Sequence, residues 1–262
     1  MAGASTAPRR KTRKDLAVTG VNDGRVAVIT GGTRRLGLAI ARRLAHEGYL
    51  LALNYRHHEA AAAAAIAELR PICPDLVAIK ADVSTPAGAE CLVREAQHVL
   101  GGLDLWINNV GPFVPKPLVE TSEAEWRLMV DGNLASVFHT LQRVIPIMRV
   151  QGGGVIINIG SLNAEVPRGA PNTAVYNALK TAVVVLTRSV ARSEGRYGIR
   201  ANVVNPGMVD TLEVDPERIV GQTPLGRLIR PEEVAAAVAW LASDEAAAIS
   251  GEVINVSGGL WV

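Results

Sequence analysis

Val26-Ala-Val-Ile-Thr-Gly-Gly-Thr-Arg-Arg-Leu-Gly-Leu-Ala-Ile-Ala-Arg-Arg-Leu44, with Leu50-Leu-Ala-Leu-Asn-Tyr-Arg56 close behind it, decides the fold. Val26 to Ile29 is a short run of apolar and β-branched residues, as expected of a strand buried on both faces. Leu36, Ala39, Ile40 and Leu44 then recur at helical spacing. Leu50 to Leu53 is a second apolar run. Two strands joined by a helix read as a parallel pair. Gly31, Gly32 and Gly37 lie between the first strand and the helix. Glycine permits a sharp turn and lets a phosphate approach, and the helix start offers free N–H groups at a positive dipole end. A dinucleotide pyrophosphate would fit there. The bland alternative is a Gly-rich turn in an ordinary α/β protein; the flanking strand and helix favour the phosphate.

Downstream the same alternation repeats. Glu59 to Leu69 is an alanine-rich helix ended by Pro71 and Pro74. Leu76 to Ile79 is a third strand, followed by Ala81-Asp82-Val83-Ser84, where Ser84 is expected to cap a helix running to about Leu100. Leu103 to Ile107 is a fourth strand, ending in Asn108-Asn109-Val110-Gly111. A helix pair from about Ser122 to Val150 contains Asn133. Val155 to Ile159 is a fifth strand, ending in Gly160-Ser161. Tyr176 to about Glu194 is helical. Ile199 to Val204 is a sixth strand, ending in Asn205-Pro206-Gly207. Residues 208–228 are irregular and polar; Pro231 starts a helix to Ala242, and Val253 to Val256 is a seventh strand. The expectation is a single Rossmann-type, doubly wound parallel sheet of about seven strands with helices on both faces, in one domain spanning residues 23–262. Ligands of such sheets bind beyond the carboxyl ends of the strands, where the polar clusters fall.

The chain has 262 residues and is 48% hydrophobic, enough for one large core. Its formal net charge of +2 is uneven. Arg9, Arg10, Lys11, Arg13 and Lys14 precede the first acid; removing those five from 27 bases leaves 22 against 25 acids, about −3. The body therefore lacks the basic excess of a nucleic-acid binder. Residues 1–22 are expected to be a disordered basic tail. No apolar run is long enough to span a membrane. Cys73 and Cys91 form no disulfide framework, which points to a reducing, cytoplasmic setting. The histidines show no metal-ligand spacing, and no metal is expected.

Tyr176-Asn-Ala-Leu-Lys180 places a phenol and an ammonium on one helix face. The ammonium is expected to lower the tyrosine pKa from about 10 towards neutrality. Such a tyrosine can exchange a proton with a carbonyl or alcohol. Thr30-Gly31…Gly37, Asp82-Val83, Asn108 to Gly111, Asn133, Ser161, Tyr176…Lys180 and Asn205-Pro206-Gly207 follow in a recognisable order. The sequence resembles the short-chain dehydrogenases/reductases across nearly all of residues 24–262. The resemblance implies that Tyr176 is the general acid in reduction and that Ser161 hydrogen-bonds the substrate oxygen. It also implies that Lys180 binds the nicotinamide ribose, and that Asn133 holds a water relaying protons to Lys180. The loop Gly31, Thr33, Arg34, Arg35, Leu36 and Gly37 would carry the phosphates. Asp82 and Val83 would meet the adenine, Asn109, Val110 and Gly111 the adenine ribose, and Pro206, Gly207 and Val209 the nicotinamide. Met208 would line the substrate side. A homotetramer built on long helices, including the one starting at Tyr176, is likewise implied.

Three features depart from the common pattern. Arg35 stands where the family usually has glycine, and either tolerates that backbone or turns its guanidinium to phosphate. Asn109-Val-Gly-Pro-Phe-Val-Pro-Lys-Pro-Leu118 looks like the pteridine-reductase branch, in which an aromatic at Phe113 stacks a flat ring; simple packing of Phe113 is the alternative. That branch usually carries aspartate where this chain has Ser161. Finally, 14 residues separate Ser161 from Tyr176, more than the family usually has. Either the loop is longer or Asn163 takes the hydrogen-bonding place; the longer loop is favoured, because Ser161 directly follows its strand.

At the end of the second strand stand Asn54, Tyr55, Arg56, His57 and His58, with no acid until Glu59. An acid there would select NAD; Arg34 and Arg56 without one favour the extra phosphate of NADP. The expected protein is an NADPH-dependent reductase of a small-molecule carbonyl. Reduction of a C=N bond in a pterin or cyclic imine is the alternative, and a non-catalytic NADP-binding sensor is disfavoured by the retained Tyr176 and Lys180. Residues 208–228, with Asp210, Glu213, Asp215, Glu217 and Arg218, are expected to form a mobile polar lid.

Overall fold

All four residues of β1 (Val26–Ile29) are buried. Their side chains alternate between two cores: Ala27 and Ile29 join one apolar cluster, Val26 and Val28 the other. That period of two on a strand with no wet face is what a sandwiched parallel strand requires. The computed structural model describes residues 24–162, 164–166, 169–210, 221 and 223–260. The basic tail, Asn163 and, within the expected lid, residues 211–220 and 222 lie outside them.

β1 pairs in parallel with β2 (Leu50–Tyr55) on one side and β4 (Leu105–Asn108) on the other, Ile29 lying level with Leu53 and Ile107. With β3 (Val77–Lys80), β5 (Gly154–Ile159), β6 (Ile199–Pro206) and β7 (Val253–Val256) the sheet runs β3-β2-β1-β4-β5-β6-β7, every pairing parallel. The strand order reverses between β1 and β4, which opens a crevice beyond their carboxyl ends. Helices α1 (Arg35–His46) and α2 (Glu59–Leu69) cover one face. There Ile40 and Leu44 pack with Val234, Val238 and Leu241 of the last helix, Pro231–Ala242. On the other face α3 (Pro86–Leu100), α5 (Ser136–Gln151) and α6 (Ala174–Glu194) enclose Leu92, Val144, Met148, Val183 and the fully buried Trp106. In chain order the last helix is α7, and α4 is Glu123–Val130.

The element boundaries differ from the sequence expectation at a few ends. β2 and β6 run two residues further, to Tyr55 and Pro206, because their neighbours continue the ladder. Thr85, not Ser84, caps α3: its hydroxyl accepts from Gly88 N at 3.1 Å, while the Ser84 hydroxyl donates to Asp82 at 2.6 Å. The helix pair of residues 122–150 is two helices joined by a widened turn, Asp131–Ala135, with a π-type hydrogen-bond pattern. α4 starts from a capping box, Ser122 with Glu125. Among the described residues no helix is long and apolar enough to cross a membrane.

Candidate active site

The turn after β1 is built for close approach. Gly31 has φ +61°, and a Cβ at Gly37 would run into the Gly31 carbonyl. Arg35 has φ +49°, a left-handed backbone unusual for a side chain of its size. A non-glycine residue held there costs on the order of 1 kcal/mol or more, and such strain gathers at functional sites. No acid lies in the first turn of α1, and its N-cap Arg34 makes no side-chain cap bond, so the first-turn donors stay open. Two asparagines brace the turn. Asn54 accepts from Gly31 N at 3.3 Å and donates to Ala81 O at 2.9 Å. Asn109 donates to Thr30 O at 3.0 Å, and the Thr30 hydroxyl accepts from Asn109 N at 2.8 Å.

From this turn a cavity of about 590 Å³ runs along the carboxyl ends of the strands. Gly31, Thr33, Arg34, Arg35, Leu36 and Gly37 line one end, with Tyr55 and Arg56 beside them. Asn109 and Gly111 lie along it; Phe113, Ser161, Tyr176, Lys180, Pro206, Gly207, Met208 and Val209 line the remainder. The structure therefore brings most of the sequence-predicted residues onto one surface. His57, Asp82, Val83, Val110 and the fully buried Asn133 do not line it. Asp82 instead pairs with Arg56, Nε to Oδ2 at 3.2 Å, which holds that guanidinium at the end of β2.

At the far end the groups converge around Gly111. A Cβ there would lie 2.7 Å from Asn133 Oδ1 and 2.9 Å from Lys180 Nζ. Lys180 is buried and donates to Ile159 O at 2.9 Å. Burial brings its pKa down from the usual lysine range to about 8. Asn133 sits in the π turn, where Nδ2 donates to Met129 O at 3.0 Å and Pro112 O at 2.9 Å. Its Oδ1 is buried without a partner. Such an orphaned acceptor suits a bound water or ligand donor. Phe113, 46% exposed, meets the Tyr176 ring edge to face with centroids 4.8 Å apart.

The expected lowering of the Tyr176 pKa is not found. Burial pushes the phenol up to about 12, and hydrogen bonding with Ser161 opposes this only in part. Desolvation acts on both groups and outweighs the neighbouring ammonium. Lys180 Nζ lies 5.6 Å from the Tyr176 ring centroid, and burial lowers its own pKa. The phenol therefore stays protonated throughout the neutral range.

A buried polar chain holds α6 against the sheet under this end. Trp106 Nε1 and the Thr140 hydroxyl both donate to Asn108 Oδ1 at 2.9 Å. Asn108 donates to Asn158 Oδ1, and Asn158 donates to Thr187 Oγ1, each at 2.8 Å. Thr187→Val keeps the shape and strands the Asn158 amide. The expected loss is about 1–3 kcal/mol of stability, read as a lower urea midpoint at unchanged slope.

The loop from Leu162 to Thr173, expected beside the substrate, does border the cavity at both ends; sequence reasoning missed other lining residues, among them His58, Asn177 and Leu260. Asn177 had a usable signal: it adjoins Tyr176, and helical spacing puts it one turn from Thr173. Leu260 had none, since only the turn after β7 brings it here. No three His, Cys, Asp or Glu side chains cluster as metal ligands among the described residues. The bare glycine faces, the open α1 start and the orphaned Asn133 oxygen do fit a nicotinamide dinucleotide lying from the Gly31 turn to Lys180.

Comparison with known proteins agrees with this geometry. A family model described as enoyl-(acyl carrier protein) reductase matches residues 31–261. The 3-oxoacyl-[acyl-carrier-protein] reductase of Staphylococcus aureus (strain Mu50) is 37% identical over 242 residues, covering 90% of this chain and 98% of that protein. Among solved structures, a mutant of a Serratia marcescens short-chain dehydrogenase/reductase superposes with TM-score 0.85 at 36% identity, covering 91% of this chain and 98% of the other. The 3-ketoacyl-(acyl-carrier-protein) reductase from Brucella melitensis, complexed with NADH, gives TM-score 0.85 at 30% identity, with 91% and 99% covered.

Proposed function

Since this chain belongs to the short-chain dehydrogenase/reductase family and is an oxidoreductase, we propose that it reduces a ketone to an alcohol with NADPH. The observation that carries this reading is the convergence of Ser161, Tyr176 and Lys180 at one end of the cavity that begins at the Gly31 turn. A bound nicotinamide dinucleotide would supply hydride to the carbonyl carbon. The Gly31–Gly37 turn and the open start of α1 would hold its pyrophosphate, and Lys180 its ribose. Ser161 Oγ donates to the substrate oxygen and fixes its place. Tyr176 Oη gives its proton to that oxygen as negative charge develops. Lys180 Nζ and the water accepted by Asn133 Oδ1 restore the proton. Burial keeps the phenol in its protonated form at neutral pH, the form that reduction needs.

The sign of the pH dependence follows. Lys180, with its pKa near 8, carries its proton below that value and loses it above. Ketone reduction is therefore expected to be level at pH 6–7 and to fall as pH rises through about 8. Steady-state kcat across that range checks this; a rate rising through pH 8 would contradict it.

For the cofactor, Arg34 and Arg56 support NADPH over NADH. Asp82 fixes Arg56 through Nε, and its two terminal nitrogens bond no described residue, leaving a fork for a phosphate. Arg56→Ala together with Arg34→Ala is expected to raise KM for NADPH by about 10-fold or more, the worth of one or two charged hydrogen bonds. NADH kinetics, measured in parallel, should move far less; equal losses for both would sink the phosphate assignment.

Reduction of a pterin or cyclic imine is a weaker reading, resting on Arg35 and Phe113. The edge-to-face contact of Phe113 with Tyr176 is compatible with packing alone. A homotetramer is proposed from exposed Phe138 on α5 and Val185 on α6, and a monomeric solution mass would overturn it. The free Cys73 and Cys91 support a cytoplasmic setting.

A further inference from the structure

The first turn of α6 presents two polar side chains to the cavity, Thr173 and Asn177, that no step of the reduction uses. Thr173 occupies the N-cap position, yet its hydroxyl does not cap the helix. It accepts instead from Asn177 Nδ2 at 3.0 Å. That bond leaves three groups unengaged by any described residue: the Thr173 hydroxyl proton, the second Asn177 Nδ2 proton and Asn177 Oδ1. Asn177 is 8% exposed and borders the cavity. Both side chains thus bring unengaged hydrogen-bonding groups to the cavity wall.

The chemistry of these groups selects the ligand. Asn177 Oδ1 only accepts, so a carboxylate or phosphate leaves it unsatisfied. The Thr173 O–H donates. A single ligand hydroxyl, donating to Asn177 Oδ1 and accepting from Thr173 Oγ1, would satisfy both; an amide N–H would satisfy only the first. The neighbouring walls of Phe113, Leu162 and Met208 are apolar. Tyr176 and Asn177 are consecutive on the helix, so this polar pair lies beside the group that protonates the carbonyl oxygen.

We propose that Thr173 and Asn177 form a subsite for a hydroxyl carried near the reacting carbonyl, so that the preferred substrates are hydroxy ketones with an apolar body. This rests on the ketone-reductase reading. The test pairs 1-hydroxy-4-phenyl-2-butanone and 4-hydroxy-4-phenyl-2-butanone with 4-phenyl-2-butanone, each with NADPH and the full-length protein. A hydroxy ketone is expected to exceed the plain ketone in kcat/KM by about 10-fold or more, as a site with unpaired polar groups discriminates. Asn177→Leu and Thr173→Val should bring that ratio close to one. Thr173→Ser, which keeps the hydroxyl, should keep the ratio. Equal kcat/KM in the wild type, or a preference that survives both substitutions, overturns the subsite alone. No NADPH oxidation with any of the three ketones overturns the subsite, and no oxidation with 3-oxoacyl thioesters or other ketones either overturns the ketone reading as well.

Discussion

Tyr176→Phe is expected to lower NADPH-dependent ketone reduction by about 10²- to 10⁴-fold in kcat, the usual worth of a positioned general acid. The substitution removes one oxygen and little else. The ring stays the same size, so the edge-to-face contact with Phe113 survives and α6 keeps its place. The proton source is lost outright, because Lys180, 5.6 Å from the ring centroid, delivers its proton through the phenol that the substitution removes. Burial also keeps the phenol protonated at neutral pH, so the full population of enzyme carries the acid. The loss should therefore appear in kcat, with NADPH affinity, measured by nicotinamide fluorescence, changed by no more than a few-fold. A variant that keeps kcat would remove Tyr176 from the mechanism.

The second large effect concerns the phosphate turn. Gly37→Ala places a Cβ against the Gly31 carbonyl, which is backbone and cannot swing aside, and 2.9 Å from Asn109 Nδ2. The conflict reaches three elements together: β1's turn, the first turn of α1 and the end of β4. Overpacking of this kind costs about 1–3 kcal/mol or more, which for a chain of this size is a Tm lower by roughly 2–10 °C. Affinity for NADPH should fall further than stability does, by about 100-fold, since the open N–H donors are those displaced. Thermal melts with and without NADPH separate the two: the stabilisation that the cofactor gives should vanish in the variant. A variant that melts and binds like the wild type would show that the turn relaxes and that the close approach is unneeded.

The layered architecture could be read from short apolar runs and glycine turns, because a parallel sheet leaves its strands no wet face and its connections few choices. Val253–Val256 and Glu59–Leu69 match to the residue. Strand ends were harder. β2 and β6 continue past their apolar runs through Asn54-Tyr55 and Asn205-Pro206, held by neighbours distant in sequence. The site was partly legible, since motif residues at strand ends must share one rim once the strands are parallel. Three things were not. The Ile159 carbonyl that accepts from Lys180 is backbone and has no letter. The pairing of Asp82 with Arg56 joins β2 to the end of β3 and turns a residue expected at the adenine into an anchor for an arginine. The Tyr176 pKa depended on burial, which spacing along a helix does not reveal.

The most direct measurement is NADPH oxidation, followed by absorbance, against a panel of ketones, 3-oxoacyl thioesters, dihydropterins and cyclic imines, with Tyr176→Phe alongside. The account predicts turnover of ketones or oxoacyl thioesters that Tyr176→Phe removes. Turnover confined to C=N compounds, or ketone turnover undiminished in Tyr176→Phe, would contradict it.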